Sequence, residues 1–379
     1  MTTGSGRRSI VADVIPLAAP LLPQAVSDSV RETVESTFIG PGRRTAEFEA
    51  VIAEQCGVDA AVATVSGTVA LGVAARALGL VPGDEILVPA YGVISVANGL
   101  ASEGFVVRPV DVDPGTATIN PDALDGAIGP ATRAVCLVDF SGYFGPVSHL
   151  VAEVCRMHGL PVIEDAACAL GSGDGRVRAG SLGDVAVTSF SVPKIVTTGQ
   201  GGAVMGPSSV VDRARAWIDQ GDLEWRATGI NRAIGTNLRF TDIQSAIGLP
   251  QIHELDARSD RKREVHAYLR EYLGPFLWTI PGPVAPLHNI VFSGDPGALV
   301  QALRSEGILA ARQYLTLTRH PAYAGSSARA FPISDWWSDC AVYLPFGFAL
   351  TVEDAERMVR ALQMHRDMLV SAPGPQMVG

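Results

Sequence analysis

The sequence predicts an α/β fold in which a mostly parallel sheet is covered on both faces by helices. Between about residues 59 and 206, short apolar runs rich in β-branched residues alternate with segments of helical length. Segments 68–80 and 147–158 have the apolar spacing of helices that cover a sheet. Such alternation is typical of parallel sheets, because parallel neighbours need a long crossover connection.

Seven apolar runs make up the predicted sheet, and each has the length of a strand. They are residues 60–65, 85–90, 106–112, 134–140, 161–166, 185–190 and 202–205. The glycine-rich stretch 171–176 is predicted to be a turn.

A second, smaller set of elements follows the sheet. A long helical pattern runs from about residue 242 to about 273, after which proline-rich loops appear. Further strands and helices lie between about residues 260 and 370 and end in a helix over 352–365. We therefore predict an N-terminal arm and large domain over residues 1–255, and a smaller α+β domain with a loose tail over residues 256–379.

The composition excludes several classes of partner. Hydrophobic residues make up 47% and charged residues 18% of the 379-residue chain, as in a well-buried globular protein. The net charge of −10 argues against nucleic acid or an acidic membrane surface as partner, and no apolar run is long enough to cross a bilayer. The five cysteines lack metal-ligand spacing, so we expect a cytoplasmic protein without a metal site.

Lysine is rare in this chain, with two lysines against 27 arginines. Lys262 lies in the charge-dense run 258–264, where we expect it on a solvated helix face. Lys194 is the only charged residue of the apolar stretch 187–202. Arginine replaces lysine as a positive charge but not as a primary amine that forms an imine. Lys194 is therefore the candidate imine-forming residue, and the alternative is an incidental surface lysine.

Three polar groups follow predicted strands at their carboxyl ends, where open α/β sheets bind ligands. Residues 66–68 (Ser-Gly-Thr) open a helix whose N–H groups and dipole suit a phosphate, although they also make a plain helix cap. Of Glu164 and Asp165, one can hold a protonated ring nitrogen, or either can cap the next helix. Ser189 adds a hydroxyl for phosphate shortly before Lys194. Together these groups describe a pyridoxal 5′-phosphate site.

Ten short stretches form an ordered pattern over nearly the whole chain. They are Ile15-Pro-Leu-Ala, Phe38-Ile-Gly-Pro-Gly, Ser66-Gly-Thr-Val-Ala-Leu, Val81-Pro-Gly-Asp-Glu-Ile-Leu-Val-Pro-Ala, Val110-Asp-Val-Asp-Pro, Val162-Ile-Glu-Asp-Ala-Ala, Gly180-Ser-Leu-Gly-Asp, Ser189-Phe-Ser-Val-Pro-Lys, Gly199-Gln-Gly-Gly and Asn237-Leu-Arg-Phe-Thr-Asp-Ile-Gln. In this pattern the chain resembles the DegT/StrS-type sugar aminotransferases, a family of fold-type-I pyridoxal phosphate enzymes. The resemblance implies that architecture, with a mostly parallel seven-stranded large domain and a smaller α+β domain.

The resemblance also implies roles for individual residues. Lys194 would bind the cofactor as a Schiff base, and Asp165 would be the partner of its pyridine nitrogen. The implied phosphate ligands are Gly67, Thr68 and Ser189. Asn237 would reach the phosphate of the cofactor in the other subunit, which implies a homodimer with shared active sites.

Several positions depart from the family pattern. Val93 stands where the family has an aromatic residue that stacks on the cofactor, so we expect Tyr91 or Val93 to contact the ring. Cys168 replaces a glutamine or histidine near the phenolic oxygen, and a thiol is a weak donor. Asp139 stands where histidine is common, and residues 317–320 (Leu-Thr-Arg-His) match a histidine motif irregularly.

The implied activity is transfer of an amino group from glutamate or glutamine to a keto-sugar, expected to be nucleotide-linked, or to a keto-cyclitol. Lys194 argues against the sugar dehydratases of the same family, which have histidine at this position. An elimination or replacement reaction, or a non-catalytic cofactor-binding regulator, remains an alternative. A nicotinamide-dependent dehydrogenase does not fit, because stretch 171–176 lacks the spacing of a dinucleotide loop and does not open a helix.

Overall fold

The computed structural model describes residues 14–280 and 286–373, so the beginning of the predicted arm and most of the predicted tail lie outside the described residues. In chain order the strands are β1 (Ala18–Ala19), β2 (Ala60–Thr64), β3 (Glu85–Pro89), β4 (Val106–Val110), β5 (Thr132–Val138), β6 (Val162–Asp165), β7 (Val185–Ser189), β8 (Gly202–Gly206), β9 (Asn289–Ser293), β10 (Ala341–Leu344), β11 (Phe346–Gly347) and β12 (Leu369–Val370).

Helices occupy most of the chain between these strands. They are α1 (Gln24–Glu35), α2 (Arg43–Cys56), α3 (Gly67–Ala77), α4 (Ser95–Ala101), α5 (Pro121–Asp125), α6 (Pro146–Met157), α7 (Ser208–Ile218), α8 (Trp225–Thr228), α9 (Asp242–Ile252), α10 (Leu255–Leu273), α11 (Pro296–Ser305), α12 (Pro332–Cys340) and α13 (Val352–Met364).

The main sheet has seven strands in the order β2-β8-β7-β6-β5-β3-β4. Its pairs are parallel except for those of β8, which runs antiparallel to both β2 and β7. This confirms the predicted mostly parallel, seven-stranded α/β sheet. The carboxyl ends of the parallel strands therefore meet at one edge, where the predicted polar groups lie.

Both faces of the main sheet are buried under helices. Ile86 and Val88 of β3 pack in one cluster with α3, α4 and α7. Leu87, between them, packs on the opposite face with Leu137 of β5 and Val151 of α6. Successive side chains of a strand alternate between faces, so burial on both sides explains the nearly continuous apolar runs in the sequence.

The predicted strand 106–112 is shorter in the structure, where β4 ends at Val110. The next residue, Asp111, leaves the ladder and accepts hydrogen bonds from the backbone N–H groups of Ile333 and Ser334 at 3.1 and 2.9 Å. These N–H groups belong to the first turn of α12 and have no partner within the helix. The strand therefore ends at the residue whose side chain binds the first turn of a distant helix.

A smaller sheet, in the order β10-β9-β12, is antiparallel throughout. Leu269 of α10, Leu303 of α11 and Met358 of α13 share a buried cluster with Val291 and Val342 of this sheet. The short β1 pairs in parallel with β11 and so ties the N-terminal segment to this part of the chain. The division at residue 255 stays a prediction.

The single long helix expected over about residues 242–273 is wrong, because α9 ends at Ile252 and α10 begins at Leu255. Pro250 lies inside the last turn of α9. A proline there has no N–H to donate and its ring crowds the preceding turn. The apolar periodicity continues across the break, which is why the pattern alone did not reveal it.

No helix in the described ranges combines the length and apolar character needed to cross a membrane. All five cysteines are free thiols, and Cys56, Cys136 and Cys155 are buried. The described residues also contain no group of three or more histidine, cysteine or acidic side chains arranged to hold a metal ion.

The expectation that Lys262 lies on a solvated face is wrong. It is 5% exposed, and its Nζ has no hydrogen-bond partner within the described part of the chain. Arg258, Lys262, Val265 and Leu269 are all buried, and their spacing of four, three and four residues places them on one helix face. Packing of that face therefore buries the lysine, and burial lowers its pKa to about 7.

Replacing Lys262 with methionine is expected to reduce the rise of stability with pH. The pKa of Lys262 is about 7 in the folded protein against 10.5 for the ordinary side chain. Between these values the unfolded chain binds more protons, so the free energy of unfolding rises with pH by up to about 1.4 kcal/mol per unit. Urea unfolding of wild type and K262M at several pH values above neutrality measures the difference. R261M removes an exposed charge nearby and should keep the wild-type dependence of unfolding free energy on pH. If wild type and K262M showed the same dependence, the lowered pKa of Lys262 would be contradicted.

Candidate active site

A cavity lies at the carboxyl ends of β2, β5, β6 and β7, with a volume of about 1040 Å³ including its open mouth. The predicted site residues that line it are Gly67, Thr68, Val93, Asp165, Cys168, Ser189 and Lys194. Tyr91 and Asn237 are not in its lining. The fold thus brings three separate sequence motifs to one place.

The turn between β2 and α3 lies very close to β7 and β8. Ser66 caps α3, since its hydroxyl accepts a hydrogen bond from the Val69 N–H at 3.3 Å. A Cβ on Gly67 would lie 2.8 Å from the Cβ of Ser189, and a Cβ on Gly202 would lie 2.5 Å from the Gly67 nitrogen. Only glycine fits at these two positions, and the approach places the first turn of α3 beside Ser189. Free N–H groups and a hydroxyl at a helix N-terminus are suited to an anion.

The adjacent acids at the end of β6 have different surroundings. The Glu164 carboxylate is fully buried and accepts hydrogen bonds from three backbone N–H groups of one loop, those of Gly180, Leu182 and Gly183. Asp165 lines the cavity, and its Oδ1 accepts one hydrogen bond, from Ala167 N–H at 3.0 Å. Burial raises the pKa of Asp165, while Ala167 N–H and Lys194 oppose the rise. Asp165 is therefore the acid available to a ligand.

Lys194 lies in the turn after β7 and reaches into the cavity. Its backbone N–H donates to the Ser191 carbonyl at 3.0 Å, and its Nζ donates to the Sγ of Cys168 at 2.9 Å. Cys168 is only partly buried and lines the same cavity. The thiol and the amine, predicted to be close to one ligand, are thus in direct contact.

The structure separates the two candidates for a ring contact. Gly92 has a φ of +142°, and at this turn the chain directs Tyr91 away from the cavity. Tyr91 is 1% exposed, and its hydroxyl hydrogen-bonds that of Tyr343 at 2.7 Å. Val93 is 40% exposed and lines the cavity. Of the two, Val93 is placed to contact a ligand.

Sequence reasoning missed the side of the cavity formed by residues 287–346. His288 and Tyr314 line it, with the Tyr314 hydroxyl 3.5 Å from His288 Nε2. The Ser141 hydroxyl lies 3.0 Å from His288 Nδ1, and burial lowers the pKa of His288 well below its usual range. The imidazole is therefore neutral. The sequence signal for this residue was a histidine just before the apolar strand β9. His320, the histidine of the irregular motif, lines a neighbouring cavity instead.

Asp139, at the position where the related pattern has histidine, lies beneath this cavity and is fully buried. Its backbone N–H donates to the Asp165 carbonyl at 3.1 Å. Burial, together with the nearby Glu164 and Asp165, raises its pKa well above the usual range for a carboxyl. A carboxyl whose charged form is disfavoured therefore lies next to the acid that faces the cavity, and Phe140, the following residue, forms part of the cavity wall.

Asn237 lies outside the cavity on an exposed segment. Its side-chain oxygen accepts a hydrogen bond from Arg239 Nε at 3.0 Å, and the segment forms an isolated antiparallel bridge with Asp219. The surface position is compatible with a contact to another subunit, and that contact stays a prediction.

Comparison with known proteins relates this chain to one family. The sequence matches the model of the DegT/DnrJ/EryC1/StrS aminotransferase family over residues 22–363. It is 32% identical over 362 residues to GDP-perosamine synthase of Caulobacter vibrioides, covering 92% of this chain and 97% of that protein. It is 35% identical over 291 residues to dTDP-4-dehydro-2,3,6-trideoxy-D-glucose 4-aminotransferase of Saccharopolyspora spinosa, covering 72% and 73%. The crystal structure of the aminotransferase TlmJ from Streptoalloteichus hindustanus superposes with a TM-score of 0.87 at 28% identity, over 93% of this chain and 99% of that one.

Proposed function

The chain belongs to the DegT/DnrJ/EryC1/StrS aminotransferase family and is a pyridoxal 5′-phosphate-dependent aminotransferase; on this premise we propose that it transfers an amino group from glutamate or glutamine to the keto group of a nucleotide-linked sugar. The observation that carries the proposal is the single cavity that contains Lys194, Asp165 and the N-terminal turn of α3. The similarity to a GDP-sugar and a dTDP-sugar enzyme supports the substrate class.

The residues present fit the cofactor at each of its functional groups. The close approach of Gly67 to Ser189 leaves a cradle of N–H and hydroxyl donors for the phosphate. Asp165 offers a carboxylate to the ring nitrogen, because only its Oδ1 is engaged by a backbone N–H within the described residues. Cys168 and Lys194 lie together where the phenolic oxygen and aldehyde carbon would be held.

When bound, pyridoxal phosphate acts as an electron sink for the substrate carbanion. Asp165 would keep the ring nitrogen protonated, and at an effective dielectric near 20 a charge pair at about 4 Å is worth roughly 4 kcal/mol. Lys194 would hold the cofactor through its Nζ, and the free amine would carry a proton at that atom as general acid and base. Cys168 accepts a hydrogen bond from that Nζ and so holds it over the cavity.

Purified protein incubated with each amino donor and a panel of keto acceptors tests the proposal. We expect amine transfer from glutamate or glutamine to at least one GDP- or dTDP-linked keto-sugar, detected by mass spectrometry of the aminated product. Transfer to an inosose but to no sugar nucleotide would show that the acceptor is a keto-cyclitol instead. Release of ammonia or a leaving group without an aminated product would favour elimination or replacement, and no reaction at all would favour a cofactor-binding regulator.

We also propose that the enzyme is a homodimer whose active sites are shared between subunits. Asn237 is exposed. Ile234, near it in sequence, is 87% exposed, and Phe38, in a different segment of the chain, is 79% exposed. The two segments are brought together where the Asp242 N–H donates to the Gly40 carbonyl at 2.9 Å, and large apolar side chains exposed together are typical of surfaces that become buried on association. The family resemblance implies that Asn237 would reach the phosphate of the partner's cofactor, and this supports shared sites.

Mixing two inactive variants is expected to restore activity if the sites are shared. A dimer of one K194A subunit and one N237A subunit carries both defects in one site and neither in the other. Activity at limiting cofactor after mixing and re-equilibration measures the gain, with each variant alone as control. A stable, active monomer in sedimentation would contradict shared sites, as would mixtures no more active than the sum of their components.

Replacing Cys168 with glutamine is expected to change the absorbance titration of the bound cofactor. An amide N–H is a stronger donor than a thiol, so it should stabilise the phenolate and move the titration to lower pH. Spectra of the holoenzyme over a pH series give the shift directly. C340S, a change at a cysteine outside the cavity, serves as control. Identical titrations for wild type and C168Q would show that residue 168 does not reach the phenolic oxygen.

A further inference from the structure

A second cavity adjoins the one that contains Lys194. It has a volume of about 430 Å³ including its mouth and shares Cys168 and Leu287 with the larger cavity. Ser259, Lys262 and Arg263 of α10 and Ser172 of the turn that begins at Gly171 give it one polar wall, and Leu170, Ile195, Leu287 and Phe348 give it an apolar one. We propose that this cavity binds a small oxyanion, a carboxylate or a phosphate group, through Lys262.

Three polar side chains in the lining have no hydrogen-bond partner among the described residues. The Lys262 Nζ is buried and unpaired there. Ser172 and Ser259 also line the cavity, and no side-chain hydrogen bond joins either of them to another described residue. A buried donor without an acceptor costs free energy, and this cost is removed when a ligand supplies acceptor oxygens.

The charge around the cavity also favours an anion. Ser259, Lys262 and Arg263 lie at positions i, i+3 and i+4 of α10 and so face one direction. No aspartate or glutamate occurs among the described residues of the lining. The Arg263 guanidinium pairs with Asp260, which leaves the ammonium of Lys262 to neutralise a ligand.

Because Lys262 is buried, the charge of its amine depends on whether an anion is bound. Without an anion, burial lowers the pKa of the amine to about 7, so much of it is neutral near physiological pH. An oxyanion in the cavity favours the charged form and three-donor geometry of an ammonium. The two lysines of the chain thus serve neighbouring cavities, one for the cofactor and one for an anion.

Titration calorimetry of the cofactor-loaded protein tests this site, because bound pyridoxal phosphate already fills the phosphate cradle beside Ser189. The probes are inorganic phosphate and acetate at constant ionic strength set with sodium chloride. We expect wild type and R261M to bind at least one probe, and K262M to bind it about tenfold more weakly or worse. The two probes distinguish a phosphate ligand from a carboxylate.

Two further measurements make the result decisive. K262M should melt at or above the wild-type temperature without anion, because it removes a buried amine, so loss of binding would not reflect unfolding. S172A, which removes one donor and no charge, should weaken binding several-fold. Equal affinity of wild type and K262M, or no binding of either probe by wild type, would overturn the proposal.

Discussion

Replacing Lys194 with arginine is expected to lower amine transfer by at least about 10³-fold while the protein remains folded. The guanidinium keeps the positive charge, but it neither attaches the cofactor nor gives up a proton near neutral pH. The Nζ of Lys194 lies in the cavity with Asp165 and contacts the Cys168 thiol at 2.9 Å, so no other amine in the described lining can take over its role. Single-turnover rates with a saturating amino donor measure the loss.

The second lysine of the chain provides the matched control. K262M also removes a lysine but leaves the cofactor cavity intact, so it should retain the wild-type transfer rate. Borohydride reduction of the holoenzyme should fix the cofactor on the peptide containing Lys194. A label on the peptide containing Lys262, or substantial turnover by K194R, would refute the assignment.

Replacing Asp165 with asparagine is expected to slow turnover on the order of 10³-fold with little loss of cofactor binding. The neutral amide does not keep the ring nitrogen protonated, and a charge pair worth roughly 4 kcal/mol corresponds to about this factor. Asparagine is nearly isosteric and its oxygen still accepts the Ala167 N–H, so the fold should persist. Pre-steady-state rates of proton abstraction and thermal unfolding separate the two effects.

Glu164 provides a sharp comparison because it is the neighbouring acid. Its carboxylate is already bound by three backbone N–H groups, so E164Q should mainly lower stability by placing an amide donor against those donors. If E164Q slowed turnover and D165N did not, the roles of the two acids would be exchanged.

The fold and one wall of the cavity could be predicted because both depend on local sequence. The seven apolar runs correspond to the strands of the main sheet, and structures of related aminotransferases confirm the fold-type-I prediction. Gly67, Asp165 and Ser189 lie next to strand ends, so knowing the strands was enough to place them at one edge. Their roles in binding the cofactor stay predictions.

The remaining features depend on contacts between distant parts of the chain. His288 and Tyr314 reach the cavity only because residues 287–346 fold back over the sheet edge. The burial of Lys262 follows from which face of α10 packs inward, and its charged neighbours concealed that face in the sequence. The turn at Gly92 directs Tyr91 into the core and Val93 to the cavity. This backbone conformation could not be predicted from the residue types alone.

The close approach at Gly67 and Gly202 has a consequence for laboratory evolution of the enzyme. In a library that varies either glycine, almost every variant would have a disrupted site, because any side chain there would overlap the backbone or Ser189. Val93, Gln313 and Tyr314, by contrast, are side chains in the cavity wall whose replacement changes its shape. Diversity aimed at new acceptors is therefore best confined to these three positions, with the glycines held constant as part of the scaffold.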